Sequence, residues 1–501
     1  MQLDLPNVEL AAIAPEVVLS LTALLLLVFD ALVGDRIKNG LHLPVLTSLG
    51  LIVAFGFAFT QWNDLDQTGP LMQLAGMVVL DGFALFVKLS LLVFGFLSLW
   101  LSREYLVREK LEEPEYYALT LFAVAGMMLM ATASDLIVMF IALETFSLSL
   151  YVMVGFRRRS LISQEAAMKY FLLGAFSSAF FLLGIALVYG AVGSTNLYGV
   201  AGSGTELGMA QFLATTTPQG TGLLVLGAGL LIIGLGFKVA AVPFHMWTPD
   251  AYQGAPAPVT GFMAAGSKLA GFAALLRLLD VSLFQLRGDW QPIVIGIAVL
   301  TMIVGAVMAV VQEDVKRILA YSSIAHAGFV FTGILAASDR GVSGSLFYLA
   351  TYGVTVLGAF ALVAMLGGSE ERAVRLTDYK GLFYRRPMLA GALSLLLLSL
   401  AGVPLTSGFI GKLVVFEPAI EAGFAWVVIV GMIASAIAAF FYLRIMVVMY
   451  MQKPDEGVAA IALRPVAGAV LALSVVATLA LGVMPTPLLD LAEKATIFFS
   501  T

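Results

Sequence analysis

Residues 221–245 read TGLLVLGAGLLIIGLGFKVAAVPFH. Seventeen uncharged, mostly apolar residues precede Lys238, and Pro243 follows five residues later. An apolar run of this length fits a membrane-spanning helix, which needs about 20 residues. A lysine at its end and a proline just beyond it break the simple pattern. Proline removes a backbone donor and clashes with the carbonyl four residues back. At membrane depth, a broken helix is tolerated only where it is buried in protein or lines water.

The whole chain carries the same signature. Of its 501 residues, 60% are hydrophobic and 12% charged, against roughly 25% charged in a soluble domain. Mean hydropathy is +0.99. Such a surface cannot be solvated as a soluble body, so the chain reads as an all-α polytopic membrane protein. Spans fall at about 12–33, 41–60, 81–101, 115–133, 135–156, 164–193, 220–242, 255–279, 291–311, 317–337, 343–366, 388–417, 423–451 and 464–485, fourteen in all. Alternating ten-residue strands are absent, which argues against a barrel. A straight helix over 388–417 would be about 45 Å long, too long for a simple span, so a break is expected near 402–408.

Spans four to eight and nine to thirteen start about 176 residues apart; Lys238 and Lys412 differ by 174, and Lys268 and Arg444 by 176. Five helices per unit is odd, so the second unit is inverted relative to the first, an arrangement typical of transporters. The chain divides into N-terminal helices (1–114), a first repeat (115–279), a second repeat (291–451) and a last helix with tail (452–501), all within one membrane domain. The loop 194–219 holds Gly202, Gly204 and Gly208, but it follows no strand and has no lysine, so it reads as a surface loop rather than a phosphate loop.

Basic residues give the orientation. Loops after odd-numbered spans carry 17, from Arg36 to Arg464; loops after even-numbered spans carry Arg287 and Arg340. The positive-inside rule then places both termini on the outer face. A net charge of −5 favours no nucleic-acid partner, and the lack of cysteine excludes thiolate-held clusters. Three dispersed histidines, His42, His245 and His326, make a resident metal improbable.

Six basic residues remain inside apolar spans: Lys88, Lys169, Lys238, Lys268, Lys412 and Arg444. Each is expensive at the bilayer centre. Lys88, Lys169 and Arg444 lie nearer helix ends, where the side chain can reach the interface. Lys268 is near mid-span, with Gly261, Ala264 and Gly271 on one face. Glu144 lies in the middle of DLIVMFIALETFSLSLYVMVGF, with Ser147 and Tyr151 at i+3 and i+7. A carboxylate buried there needs a partner, and Lys238 is the natural one. His245 and His326 read equally as helix-packing groups or proton relays.

The stretches GFKVAAVPFHMWTPDAYQGAPAPV, YSSIAHAGF and LAGVPLTSGFIGK resemble the antiporter-like membrane subunits of respiratory complex I. They also resemble multisubunit Na⁺/H⁺ antiporters and membrane-bound hydrogenases. Two features narrow the branch. Lys412 stands where one branch carries glutamate, and only about 16 residues follow the last span where another carries a long extension. The resemblance implies proton translocation driven by NADH oxidation and quinone reduction in other subunits. Glu144, Lys238, Lys268 and Lys412 would be the translocating residues, with Lys169 (in AMKYFLLG), His245 and His326 as further members. FMN, iron–sulfur clusters and quinone would belong to other subunits. Partners would be further membrane subunits, antiporter-like ones among them, together with lipid. The location would be a bacterial inner membrane.

Overall fold

The computed structural model describes residues 10–33, 40–199, 207–216, 221–367, 374–454 and 464–495. Gly202 and Gly204, and the basic residues Arg36, Lys38 and Arg372, lie outside the described residues. In chain order the helices are α1 (Ala14–Val33), α2 (His42–Thr68), α3 (Gly82–Glu109), α4 (Pro114–Thr132), α5 (Leu136–Val154), α6 (Leu161–Val192), α7 (Met209–Thr215), α8 (Thr221–Lys238), α9 (Trp247–Gly254), α10 (Ala257–Phe262), α11 (Lys268–Arg277), α12 (Arg287–Val310), α13 (Val315–Ala336), α14 (Asp339–Leu366), α15 (Leu382–Arg385), α16 (Pro387–Ala401), α17 (Ser407–Glu421), α18 (Ala425–Met451), α19 (Pro465–Val483) and α20 (Thr486–Lys494). Between α2 and α3, β1 (Leu71–Gln73) pairs antiparallel with β2 (Val78–Leu80). The sequence reading contained no such hairpin, because three-residue strands leave no periodicity to read.

Local chemistry sets many helix starts. Asp81, Asp135, Ser160, Asp314 and Ser338 each accept a hydrogen bond from a backbone amide of the first turn, satisfying donors that an α-helix leaves orphaned. Gly193 and Gly402 end α6 and α16 in the left-handed conformation, where glycine meets no Cβ penalty.

Among the described residues, twelve helical stretches are long and apolar enough to cross a membrane. Two shorter apolar helices, Gly222–Lys238 and Pro387–Ala401, stand at the seventh and twelfth spans of the sequence reading. Both are first halves of broken helices. The first break separates α8 from α9, and the second separates α16 from α17 across residues 402–406. The expected break near 402–408 is therefore present.

The same neighbours recur in both halves. α4 packs on α5, α6 on α8 and α9, and α8 on α11; likewise α12 packs on α13, α14 on α16 and α17, and α16 on α18. The match is not exact. The first half-helices end at Lys238 and Ala401, 163 residues apart, whereas the two lysines are 174 apart. Lys238 thus closes a first half-helix, while Lys412 lies inside a second one.

The eighth span is not a plain helix. It runs α10, a π turn over Met263–Ser267, α11, and a second π turn over Leu278–Ser282. π turns recur at functional sites. This span and α13 are buried along their whole apolar windows, and α14 nearly so, whereas α1, α6 and α19 bury only a third. Three central spans therefore form the buried axis, and the outer helices expose apolar side chains.

Candidate functional site

Lys238 is the last residue of α8 and is 3% exposed. Its ammonium donates to Tyr170 Oη at 3.3 Å. It also lies 4.8 Å from the ring centre of Phe146, and 5.3 Å from those of Tyr151 and Tyr170. Ring faces attract cations, by about 2 kcal/mol when water is excluded. The expected direct pairing with Glu144 does not occur. Glu144 is half-buried and accepts a hydrogen bond from Ser178 of α6. The physical reason is steric: aromatic rings from α5 and α6 enclose the ammonium. Ser147, read as part of a polar stripe, turns to the carbonyl of Leu143 on its own helix.

Lys268 follows directly on the first π turn and is 3% exposed. Its ammonium donates to the Ser323 carbonyl of α13 and lies 5.7 Å from the ring centre of Tyr352. Ser323 Oγ shares a hydrogen bond with Tyr252 Oη at 3.3 Å.

His326 stands between two lysines. Its Nδ1 meets Tyr348 Oη at 2.5 Å and its Nε2 meets Tyr442 Oη at 3.3 Å. Tyr442 is hydrogen-bonded in turn to Ser322. Both Lys268 and Lys412 are near enough to act electrostatically on the ring. The motif YSSIAHAGF therefore holds a connected set, with Ser322 one turn before His326 and Ser323 bound to Lys268.

Lys412 sits in α17, 7% exposed. Its ammonium donates to Ala401 O at 2.7 Å, Leu400 O at 3.2 Å and Ser435 Oγ at 2.5 Å, and lies 5.0 Å from the ring centre of Phe329. It borders a groove of about 590 Å³ whose walls include Phe409, Leu413, Phe416 and Met432. Among the described residues, none of Lys238, Lys268 and Lys412 forms an ion pair.

The remaining candidates fall elsewhere. Lys169 has 46% of its side chain exposed and pairs with Glu165 at 2.7 Å and Asp250 at 2.9 Å. Asp250 also binds Arg317 at 2.7 Å, so this network ties α6, α9 and α13 together away from the buried lysines. His245 lies half-buried in the first break, with Nδ1 unpartnered among the described residues. Lys88 does not reach an interface. It is fully buried, paired with Glu16 at 2.9 Å and bonded to Ala12 O at 2.7 Å. Arg444 donates to the carbonyls of Val310, the last residue of α12, and Gln312 just beyond it.

Sequence reasoning missed the residues that surround each ammonium. Tyr151 was placed beside Glu144 but given no role towards Lys238, and Phe146, Tyr170, Tyr348 and Tyr352 were not singled out. Ser322 and Ser323 stood in a quoted motif without an assigned role.

The family described as NADH:quinone oxidoreductase/Mrp antiporter, TM, matches residues 133–438, a stretch holding Glu144, Lys169, Lys238, His245, Lys268, His326 and Lys412, but not Lys88. A protein of Salinispora arenicola named NADH-quinone oxidoreductase subunit N is 43% identical, with 99% of each chain covered. One of the same name from Trichlorobacter lovleyi is 41% identical over 98% of this chain and 97% of its own. A chain of respiratory complex I from Thermus thermophilus superposes with a TM-score of 0.79 and 34% identity, covering 96% of this chain and 99% of that one. A chain of the Mrp complex of Dietzia superposes as well, with a TM-score of 0.80, but at 21% identity it shares the fold alone. The chain belongs to the NADH:quinone oxidoreductase/Mrp antiporter membrane family, in its NADH-quinone oxidoreductase subunit N branch.

Proposed function

We propose that this chain translocates protons across a bacterial inner membrane, driven by NADH oxidation and quinone reduction in partner subunits, and that Lys238, Lys268, His326 and Lys412 carry them. The observation that supports this most is three buried ammonium groups that form no ion pair among the described residues, with His326 close enough to feel the charge of two of them. An ammonium deprived of both water and a counter-charge gains by giving its proton away. Lysine serves such exchange because its protonation follows its surroundings readily. A conserved-volume apolar core would be cheaper if packing were the only requirement.

Glu144 is then the adjustable charge. It makes no ion pair with Lys238, so a movement of α5 against α8 changes the field at the ammonium. Moving one proton against 100 mV costs about 2.3 kcal/mol. Changing the environment of one buried ammonium is an effect of that size. Lys169 and His245 act at the margins, through the network on Asp250 and at the first break. FMN, clusters and quinone belong to other subunits. Further membrane subunits cover the outer faces, and the groove beside Lys412 supports one on that side. The surplus of arginine and lysine at one end, Arg157, Arg158, Arg159, Arg317, Arg385 and Arg386 among them, supports both termini on the outer face. An impermeant reagent should then label a terminal tag in intact cells, and labelling confined to inverted vesicles reverses that assignment.

A second reading, a subunit of an Mrp-type cation/proton antiporter or a membrane-bound hydrogenase, rests on the shared fold. One experiment separates them. A complex purified through a tag on this chain and placed in vesicles should oxidise NADH with quinone and pump protons equally well in sodium or potassium. A complex without NADH oxidation, exchanging sodium for protons, would overturn the first reading.

A further inference from the structure

One buried acid lies outside the row of lysines. Asp280 sits in the π turn Leu278–Ser282, at the end of the span that carries Lys268, and is 5% exposed. Among the described residues neither of its carboxylate oxygens has a hydrogen-bond partner, nor has Ser282 Oγ two residues on. The charged groups that act on it come from the starts of α12 and α14: Arg287, whose guanidinium donates to Leu335 O at 3.3 Å, and Asp339. A structural acid at the same end looks different. Asp81 caps α3 and takes both nitrogens of Arg277 at 2.9 Å. A buried carboxylate left without hydrogen bonds is costly, and packing does not account for it.

A polar row leads towards Asp280. α14 runs from Asp339 to Tyr352 at the level of Lys268. On it Ser345, Tyr348 and Tyr352 fall at i, i+3 and i+7, on one face, and all are buried. Tyr348 Oη is the partner of His326 Nδ1. Lys268 and Asp280 are twelve residues apart along their span, about 18 Å. Tyr352 and Asp339 are thirteen apart on α14, so the two helices bring the hydroxyl row and the acid to the same end of the bundle.

We propose that Asp280 is a proton-carrying acid at that end, taking the proton that leaves the Lys268–His326 centre along α14 and passing it to water. The inference rests on the proposed role of the lysine row. In the step, the Lys268 ammonium loses a proton and becomes a neutral amine. The Asp280 carboxylate gains a proton through the intervening hydroxyls and water and becomes a carboxylic acid. It then releases that proton to water at the membrane face, which restores the carboxylate. Only N–H and O–H bonds change.

The test uses the whole complex in vesicles, with Asp280→Asn, Asp280→Glu and, as a reference, Lys268→Met. Assembly is read on native gels, pumping by a pH-sensitive dye, and carboxyl protonation by infrared difference spectra between resting and NADH-reduced complex. Asp280→Asn should assemble and lose pumping by about tenfold or more, while Asp280→Glu keeps a substantial part. A carboxyl band in the difference spectrum should vanish in Asp280→Asn and move in Asp280→Glu. Full pumping in Asp280→Asn beside a dead Lys268→Met would overturn this inference and leave the lysine row standing. Full pumping in Lys268→Met would remove the lysine row itself. Should Asp280→Asn fail to assemble, an unmoved band in Asp280→Glu overturns the inference, as does failure of both variants to assemble.

Discussion

At the first break, the carbonyl of Phe237 takes the indole N–H of Trp247 at 2.9 Å, and Lys238 beside it turns its ammonium into three aromatic rings. At the second break, Lys412 reaches back across the gap and donates to the carbonyls of Leu400 and Ala401, the last residues of α16. Both ammonium groups therefore lie at the C-terminal end of a half-helix, where the backbone dipole favours a cation. They arrive there from opposite sides of their breaks. The first is held by ring faces, one hydroxyl and the distant charge of Glu144; the second by fixed carbonyls and a serine, beside a groove. A lysine set by a movable charge can be switched. One set by fixed dipoles keeps a constant affinity. The first break is thus suited to respond to its neighbours, and the second to receive and pass on.

Charge replacement gives the largest expected effect. Lys238→Met and Lys412→Met should each lower pumping by about a hundredfold, read by dye quenching in vesicles with assembly checked on native gels. Arginine divides the two. Lys412→Arg keeps a donor for three acceptors and should retain measurable pumping, whereas Lys238→Arg does not fit a ring cage around a compact ammonium. Equal outcomes for the two arginine variants would break the comparison.

Backbone changes should matter less. Gly402 has φ +89°, and a Cβ there would meet Lys412 Nζ at 2.9 Å, so Gly402→Ala should destabilise the complex by roughly 1–2 kcal/mol and slow pumping. At the first break, Ala240 adopts φ +62°, and Ala240→Gly should relieve strain and leave the melting temperature equal or raised. A fall in both variants would mean that the two breaks do not differ in this way.

Removing single hydrogen-bond partners sharpens the contrast further. Tyr170→Phe takes away the hydroxyl bonded to Lys238 and should cost about 1 kcal/mol in the stability of its charged state, seen as several-fold slower pumping. Ser435→Ala removes one of three acceptors from Lys412 and should cost less. The smallest effect is expected at Lys169, whose exposed ion pairs are worth about 0–1 kcal/mol. Lys169→Met should leave thermal stability nearly unchanged.

The spans were legible because lipid demands long apolar helices, and the breaks because Pro243 and Pro404 stand beside charged residues that apolar helices otherwise exclude. Glu144, Lys238, Lys268 and Lys412 stood out for the same reason. What could not be read was the company each charge keeps. An aromatic residue facing a cation and one facing lipid have the same spacing, so Phe146 and Tyr170 left no signal, and Tyr151 was legible only as a neighbour of Glu144. The supposed Glu144–Lys238 contact failed because charge alone says which groups attract, not which of them the folded helices bring within reach. Lys88 and Glu16 are 72 residues apart in sequence, so their pairing was equally invisible. The π turns flanking α11 have no composition of their own.

Lys268 provides the most direct test, since it sits in the fully buried eighth span, bonded to Ser323 of the equally buried α13. Lys268→Met should leave the complex assembled on native gels, while proton pumping measured in the same vesicles falls to a small fraction and NADH oxidation slows with it. Unimpaired pumping in that variant would contradict the account.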